Sequence, residues 1–192
     1  MKIASLLVAI GLTLSSSADA RDSEGIAFPE MITLGGQDLI LNGTATRTFF
    51  GFRVYVAGLY VSKATKDASE IMDRNPDPKH LRIVMLRVIS EKRFATTARN
   101  NIQKNLTLEE QATFSTELDT FFKPFEKGND LKAGSEVRID YAPGEGTILT
   151  VEGRKLAVIP GREFYHTLLR LWIGKPLQPS IKIGLLRGEQ SL

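Results

Sequence analysis

The sequence predicts an α+β domain, with strands and helices segregated along the chain. Three observations carry this. Runs rich in Val, Tyr, Phe and Ile cluster between residues 37 and 89. Two segments with helical apolar spacing follow, the first opened by Ser90 and the second by Thr107-Leu108-Glu109-Glu110. Short strand-like runs joined by Gly-containing turns then return, and one amphipathic helix follows them. A doubly wound parallel sheet would alternate strand and helix throughout.

In chain order, Lys2, the apolar run Ile3 to Leu14 and the small-x-small triplet Ala18-Asp19-Ala20 have the three zones of a secretory signal. The run is too short to cross a bilayer, which takes roughly 20 apolar residues. We therefore read residues 1–20 as a signal peptide cleaved after Ala20, and residues 21–192 as one domain working in the periplasm. Arg21 to Glu30 is polar and reads as a loose lead-in. Gln37 to Thr46 and Phe50 to Val61 read as strands, with a turn near Phe49-Phe50-Gly51-Phe52. From Phe52 onward the second run is apolar at nearly every position, the mark of a strand buried on both faces.

Leu81 to Ile89 is a further strand, preceded by the helix-breaking Asn75-Pro76-Asp77-Pro78, with His80 in that polar turn. A helix capped by Ser90 runs to about Leu106, and a second spans about 108–123. Its Phe114, Leu118, Phe121, Phe122 and Phe125 share one face suited to core packing. Glu136 to Tyr141, Thr147 to Val151 and Leu156 to Ile159 form a hairpin-linked meander. A helix over Gly161 to Ile173 buries Phe164, Leu168, Leu171 and Trp172, and Gly174 stands where a left-handed helix end is common. A short helix near Ser180 to Leu186 closes the fold.

Several chemistries are excluded. With no Cys in the chain there is no disulfide framework, thiol nucleophile or thiolate-ligated metal. The net charge of +3 is mild and interspersed, which argues against nucleic acid as a partner, and no later segment is apolar enough for stable membrane insertion. His80 and His166 have no metal-ligand spacing, so we expect no metal and no cofactor. No Ser sits in a nucleophile elbow, and the Gly pairs lie between strands instead of at a helix start. Arg47 stands out, because a lone Arg beside a Phe-, Val- and Leu-rich stretch is costly without a partner. It either points outward at the sheet edge, pairs with an internal acid, or holds its planar fork ready for an anion.

Asn42-Gly43-Thr44-Ala45-Thr46-Arg47, then Phe49-Phe50 and Val54-Tyr55-Val56-Ala57-Gly58-Leu59-Tyr60, closely resembles the chalcone isomerase-like family, its bacterial exported branch in particular. Phe164, Leu168, Leu169, Trp172-Ile173-Gly174, Pro176 and the closing Gly184-Leu185-Leu186 agree in order. The resemblance implies a large antiparallel sheet covered on one side by helices, with a ligand cleft between. In fatty-acid-binding members an Arg before the motif strand and a Tyr on it hold the ligand carboxylate, and those positions are Arg47 and Tyr55 here. The enzyme pattern departs: Tyr55 stands where the isomerases have Thr, the nearest position to their catalytic Tyr is Ile89, and no Tyr occurs between Tyr60 and Tyr141. This argues against flavonoid cyclisation and leaves the catalytic residues unassigned.

Three readings follow. The first is a non-catalytic binder of a fatty acid or similar small apolar anion, with Arg47 and Tyr55 at the polar end. The second is an isomerase or intramolecular lyase on a phenolic or enone substrate, with Arg47 stabilising oxyanion charge and Tyr55 positioning water or donating a proton. The third is a structural or interaction protein whose cleft is collapsed and filled by Phe114, Phe121 and Phe122.

Overall fold

The computed structural model describes residues 20–72 and 76–187, so the segment read as a signal peptide lies outside the described residues except for Ala20. The lead-in is more ordered than the sequence suggested. Ala20–Ser23 (β1) and Ile26–Pro29 (β2) form a hairpin, turning at Glu24 and Gly25, both with positive φ. Its apolar alternation is only two residues long (Ile26 and Phe28), too brief to stand out in a sequence window. Met31–Leu34 (β3) then pairs with Gln37–Phe49 (β4), and β4 with Phe52–Val61 (β5).

After the short helix Ala68–Met72 (α1) comes Lys79–Met85 (β6), followed by the two-residue strand Ile89–Ser90 (β7). The strand expected to reach Ile89 thus ends early, and β7 pairs with Asp130–Leu131 (β8) instead. Helices Glu91–Asn105 (α2), Leu108–Thr113 (α3) and Ser115–Phe122 (α4) form the helical middle. The single helix expected over 108–123 is broken at Phe114 (φ −100°, ψ 14°), which brings Phe114 and Phe121 against the same Phe164 ring, at 6.3 and 5.8 Å between centroids. Both sequence caps form. Ser90 accepts from the Arg93 amide, and Thr107 and Glu110 close a reciprocal capping box.

Glu136–Ala142 (β9), Gly146–Val151 (β10) and Arg154–Ile159 (β11) make the meander, and Glu163–Ile173 (α5) and Pro179–Leu185 (α6) finish the fold. Seven strands form one antiparallel sheet in the order β11-β10-β9-β6-β5-β4-β3, which bears out the α+β expectation. Gly174 is not left-handed (φ −84°). Its role is close approach, since a Cβ there would sit 2.7 Å from the Arg170 carbonyl oxygen.

The two faces of the sheet are covered differently. The main core lies between the helices and one face, where Ala57, Leu59, Ile83 and Ile139 meet Phe121, Phe122, Phe164 and Trp172. A smaller core on the other face joins Val56 and Tyr60 to Leu39, Leu41 and Phe28, closed by the β1–β2 hairpin. The β5 strand is therefore buried on both sides, as its unbroken apolar run implied. His80 is corrected: it lies not in a polar turn but buried on β6, its Nδ1 bonded to Asp140 on β9. Its partner is 60 positions away, so no local pattern could reveal it.

Candidate functional site

Two β-bulges in the β4–β5 ladder decide which side chains face the helices. On β4, Leu41 pairs with Tyr60 and Gly43 with Leu59, leaving Asn42 as the extra residue. A period-2 strand that gains one residue swaps its faces. Leu39 and Leu41 accordingly point into the smaller core, whereas Ala45 belongs to the main one, and Arg47 follows Ala45. On β5, the extra residue is Val54, between the pairs Arg47–Tyr55 and Thr48–Arg53. This sends Arg53 outward to Glu24 and keeps Phe52 on the helical side.

The bulge at Asn42 is also an anchor. Asn42 is fully buried; its Nδ2 donates to the Leu185 carbonyl oxygen at 2.6 Å, and its Oδ1 accepts from the Thr65 amide at 2.8 Å. Beside it α6 lies directly on β4. A Cβ on Gly43 would fall 2.2 Å from the Gly184 carbonyl oxygen, and one on Gly184 would fall 2.6 Å from that of Thr44. The Asn-Gly and Gly-Leu-Leu motifs thus clasp each other, and they hold the start of α6 beside Arg47.

A cleft of about 720 Å³ opens between the tip of the β4–β5 hairpin and the helices α2, α5 and α6. That volume falls within the roughly 300–1,000 Å³ of small-molecule sites. Its walls are mostly apolar, with Val54, Phe94, Leu171, Trp172 and Ile181 among them. Arg47 and Tyr55 both line it, paired across the two strands. The structure thus brings the two sequence-nominated residues together on one cleft wall. Arg47 is half-buried, and its Nη1 donates to the Thr48 carbonyl oxygen and, at 3.1 Å, to Gln178 Oε1. Neither partner carries charge, and no acidic side chain among the described residues lines the cleft. Of the five guanidinium donors, those on Nε and Nη2 have no hydrogen-bond partner among the described residues, and they form a fork suited to a carboxylate.

Tyr55 complements this. Its hydroxyl oxygen accepts from Trp172 Nε1 at 3.2 Å, which leaves its own proton to donate. Burial pushes the hydroxyl above its ordinary pKa of 10, while the Trp172 hydrogen bond and the Arg47 charge pull it part of the way back. The phenol is accordingly a neutral donor around neutral pH. Sequence reasoning missed Gln178. Its Oε1 accepts from Arg47 and from both the amide and hydroxyl of Thr48, and its Nε2 donates to the Thr46 carbonyl oxygen and Ser180 Oγ. Nothing marks it except its place between Pro176 and Pro179. Phe121 and Phe122 lie in the main core, 2 % exposed, and Phe114 packs on Phe164; none of the three lines the cleft. The cleft is therefore open, and the reading in which these rings fill it does not hold.

No curated protein sequence matches the chain. Among solved structures it is similar to a fatty-acid binding protein of Arabidopsis thaliana, with a TM-score of 0.68 and 16 % identity over 88 % of this chain and 96 % of that one. At such identity the likeness establishes the fold, an antiparallel sheet with helices on one side and a cleft between. The sequence model described as chalcone isomerase-like matches residues 20–187, and the chain belongs to the chalcone isomerase-like family.

Proposed function

We propose that this protein is a non-catalytic binder of a fatty acid or a similar small apolar carboxylate. The observation that supports the reading best is the pairing of Arg47 with Tyr55 on the wall of a mostly apolar cleft that no acidic side chain lines among the described residues. A carboxylate there takes donors from the Arg47 fork and the Tyr55 hydroxyl, while its chain lies among Phe94, Leu171 and Trp172. The named activity of the Arabidopsis structure agrees with this chemistry. The test is affinity for a series of saturated fatty acids and their methyl esters by calorimetry. Acids should bind and esters should bind at least about tenfold more weakly, since a charge-assisted hydrogen bond contributes about 1.5–3 kcal/mol. Equal affinity for acids and esters would remove the carboxylate role.

We further propose that the protein acts in the periplasm after cleavage at Ala20. The charged start, apolar run and Ala18-Asp19-Ala20 support this. Intact mass of protein recovered from the periplasmic fraction should match a chain starting at Arg21. Recovery from membranes with Met1 retained would overturn it.

A further inference from the structure

The mouth of the cleft is rimmed by apolar side chains that the fold leaves in water. Phe50, at the tip of the β4–β5 hairpin, is 85 % exposed; Phe49, Phe52, Val88 and Leu177 around it are each about half exposed or more. Scattered exposed apolar residues are ordinary, but a contiguous group around one opening marks an interaction surface. Phe50 also holds a left-handed conformation (φ 48°) next to Gly51 (φ 79°), in a two-residue turn that normally takes Asn or Gly. A bulky ring is thus kept at a strained, solvated position where it contributes little to the core. The same rim is basic. Arg87 lies 4.8 Å over the Phe52 ring and is exposed, Arg93 is exposed on the first turns of α2, and Arg47 sits just inside. Three arginines and no acidic side chain line this opening among the described residues.

We propose that this rim docks the protein on an anionic lipid bilayer, with Phe50 and its neighbours entering the headgroup–acyl boundary and Arg87 and Arg93 meeting lipid phosphates. Apolar insertion beside cations is the combination that holds peripheral proteins on such surfaces. The choice of a bilayer over a protein partner rests on the fatty-acid reading, because an acyl ligand partitions into membranes and the docked mouth opens directly onto them. In this pose the cleft loads and unloads without exposing the acyl chain to water.

The absence of cysteine makes the test direct. Phe50→Cys carries an environment-sensitive dye at the hairpin tip, and Glu145→Cys carries it in the β9–β10 turn at the opposite end of the sheet. Ligand-free protein is mixed with phosphatidylcholine vesicles with and without phosphatidylglycerol. The dye at position 50 should blue-shift only with the anionic vesicles, and the dye at 145 should not respond. Arg87→Glu with Arg93→Glu should weaken the partitioning at least about tenfold, and so should high salt. A silent dye at 50, or equal responses at 50 and 145, overturns the proposal. A shift at 50 that grows with protein concentration and without vesicles overturns it in favour of a second copy of the chain. Because no fatty acid is present, these outcomes are independent of whether the acid-versus-ester comparison succeeds.

Discussion

Asn42, midway along β4, and Arg47, toward its end, use polar chemistry in opposite ways. At Asn42 the side chain is sealed from water, bonded at both its oxygen and its nitrogen, and flanked by two helix–strand contacts that only glycine permits. At Arg47, five residues on, a half-buried cation has only neutral partners among the described residues, and part of its fork is uncommitted among them. The cross-strand tyrosines differ in burial instead: Tyr60, beside Leu41, is fully buried with no hydroxyl partner among the described residues, whereas Tyr55, beside Arg47, is bonded to Trp172 and faces the cleft. A buried polar side chain bonded at both its oxygen and its nitrogen, as at Asn42, is architecture. One whose donors are left over at a cavity is available to a ligand.

The largest test of that contrast is Gly43→Ala. Its methyl group meets backbone that cannot yield cheaply, so we expect about 3 kcal/mol of destabilisation and a Tm lower by roughly 6–12 °C. A change within error would mean that the clasp between β4 and α6 is loose.

Tyr60→Phe probes the sealed region by pH. Burial raises the Tyr60 pKa from 10 to about 12. Its neutral form favours folding, so that stability is complete below the unfolded value of 10 and is lost as pH rises toward the folded value near 12. Chemical denaturation curves of wild type and Tyr60→Phe should therefore run parallel below pH 10 and separate by up to about 3 kcal/mol above it. Parallel curves throughout would show that the hydroxyl ionises without cost and is not sealed.

At the cleft, Arg47→Ala should cost about 1.5–3 kcal/mol of fatty-acid affinity, tenfold or more, with little change in Tm. Arg47→Lys should restore only part of the affinity, since it keeps charge but loses the planar fork. Lost stability with unchanged affinity would make Arg47 as structural as Asn42.

The smallest effect is expected from Gln178→Ala. It removes the charge-assisted hydrogen bond from Arg47 and the neutral ones from Thr48, worth about 1–2 kcal/mol in stability, and frees the guanidinium to reorient. Affinity should fall less than in Arg47→Ala, and the double variant should fall no further than Arg47→Ala alone. Additive losses would show that Gln178 touches the ligand itself.

Local chemistry was enough to determine much of this protein. The caps at Ser90 and Thr107, the doubly buried β5, the hairpin turn at Phe50-Gly51, and the burial of Phe121, Phe122 and Phe125 all follow from residue type and spacing. The Asn-Gly and Val-Tyr motifs also nominated Arg47 and Tyr55 and placed the chain in its family. What the tertiary structure alone decided is where Arg47 points. Simple alternation from Leu39 and Leu41 would put Arg47 on their face, in the smaller core. The bulge at Asn42 reverses that, and the bulge exists because α6, more than 140 positions away, bonds the Asn42 side chain and packs on Gly43. Gln178 reaches Arg47 across 131 positions in the same way. A period-2 pattern records neighbours on one strand, so one extra residue, stabilised by contacts far along the chain, changes the face without changing the pattern.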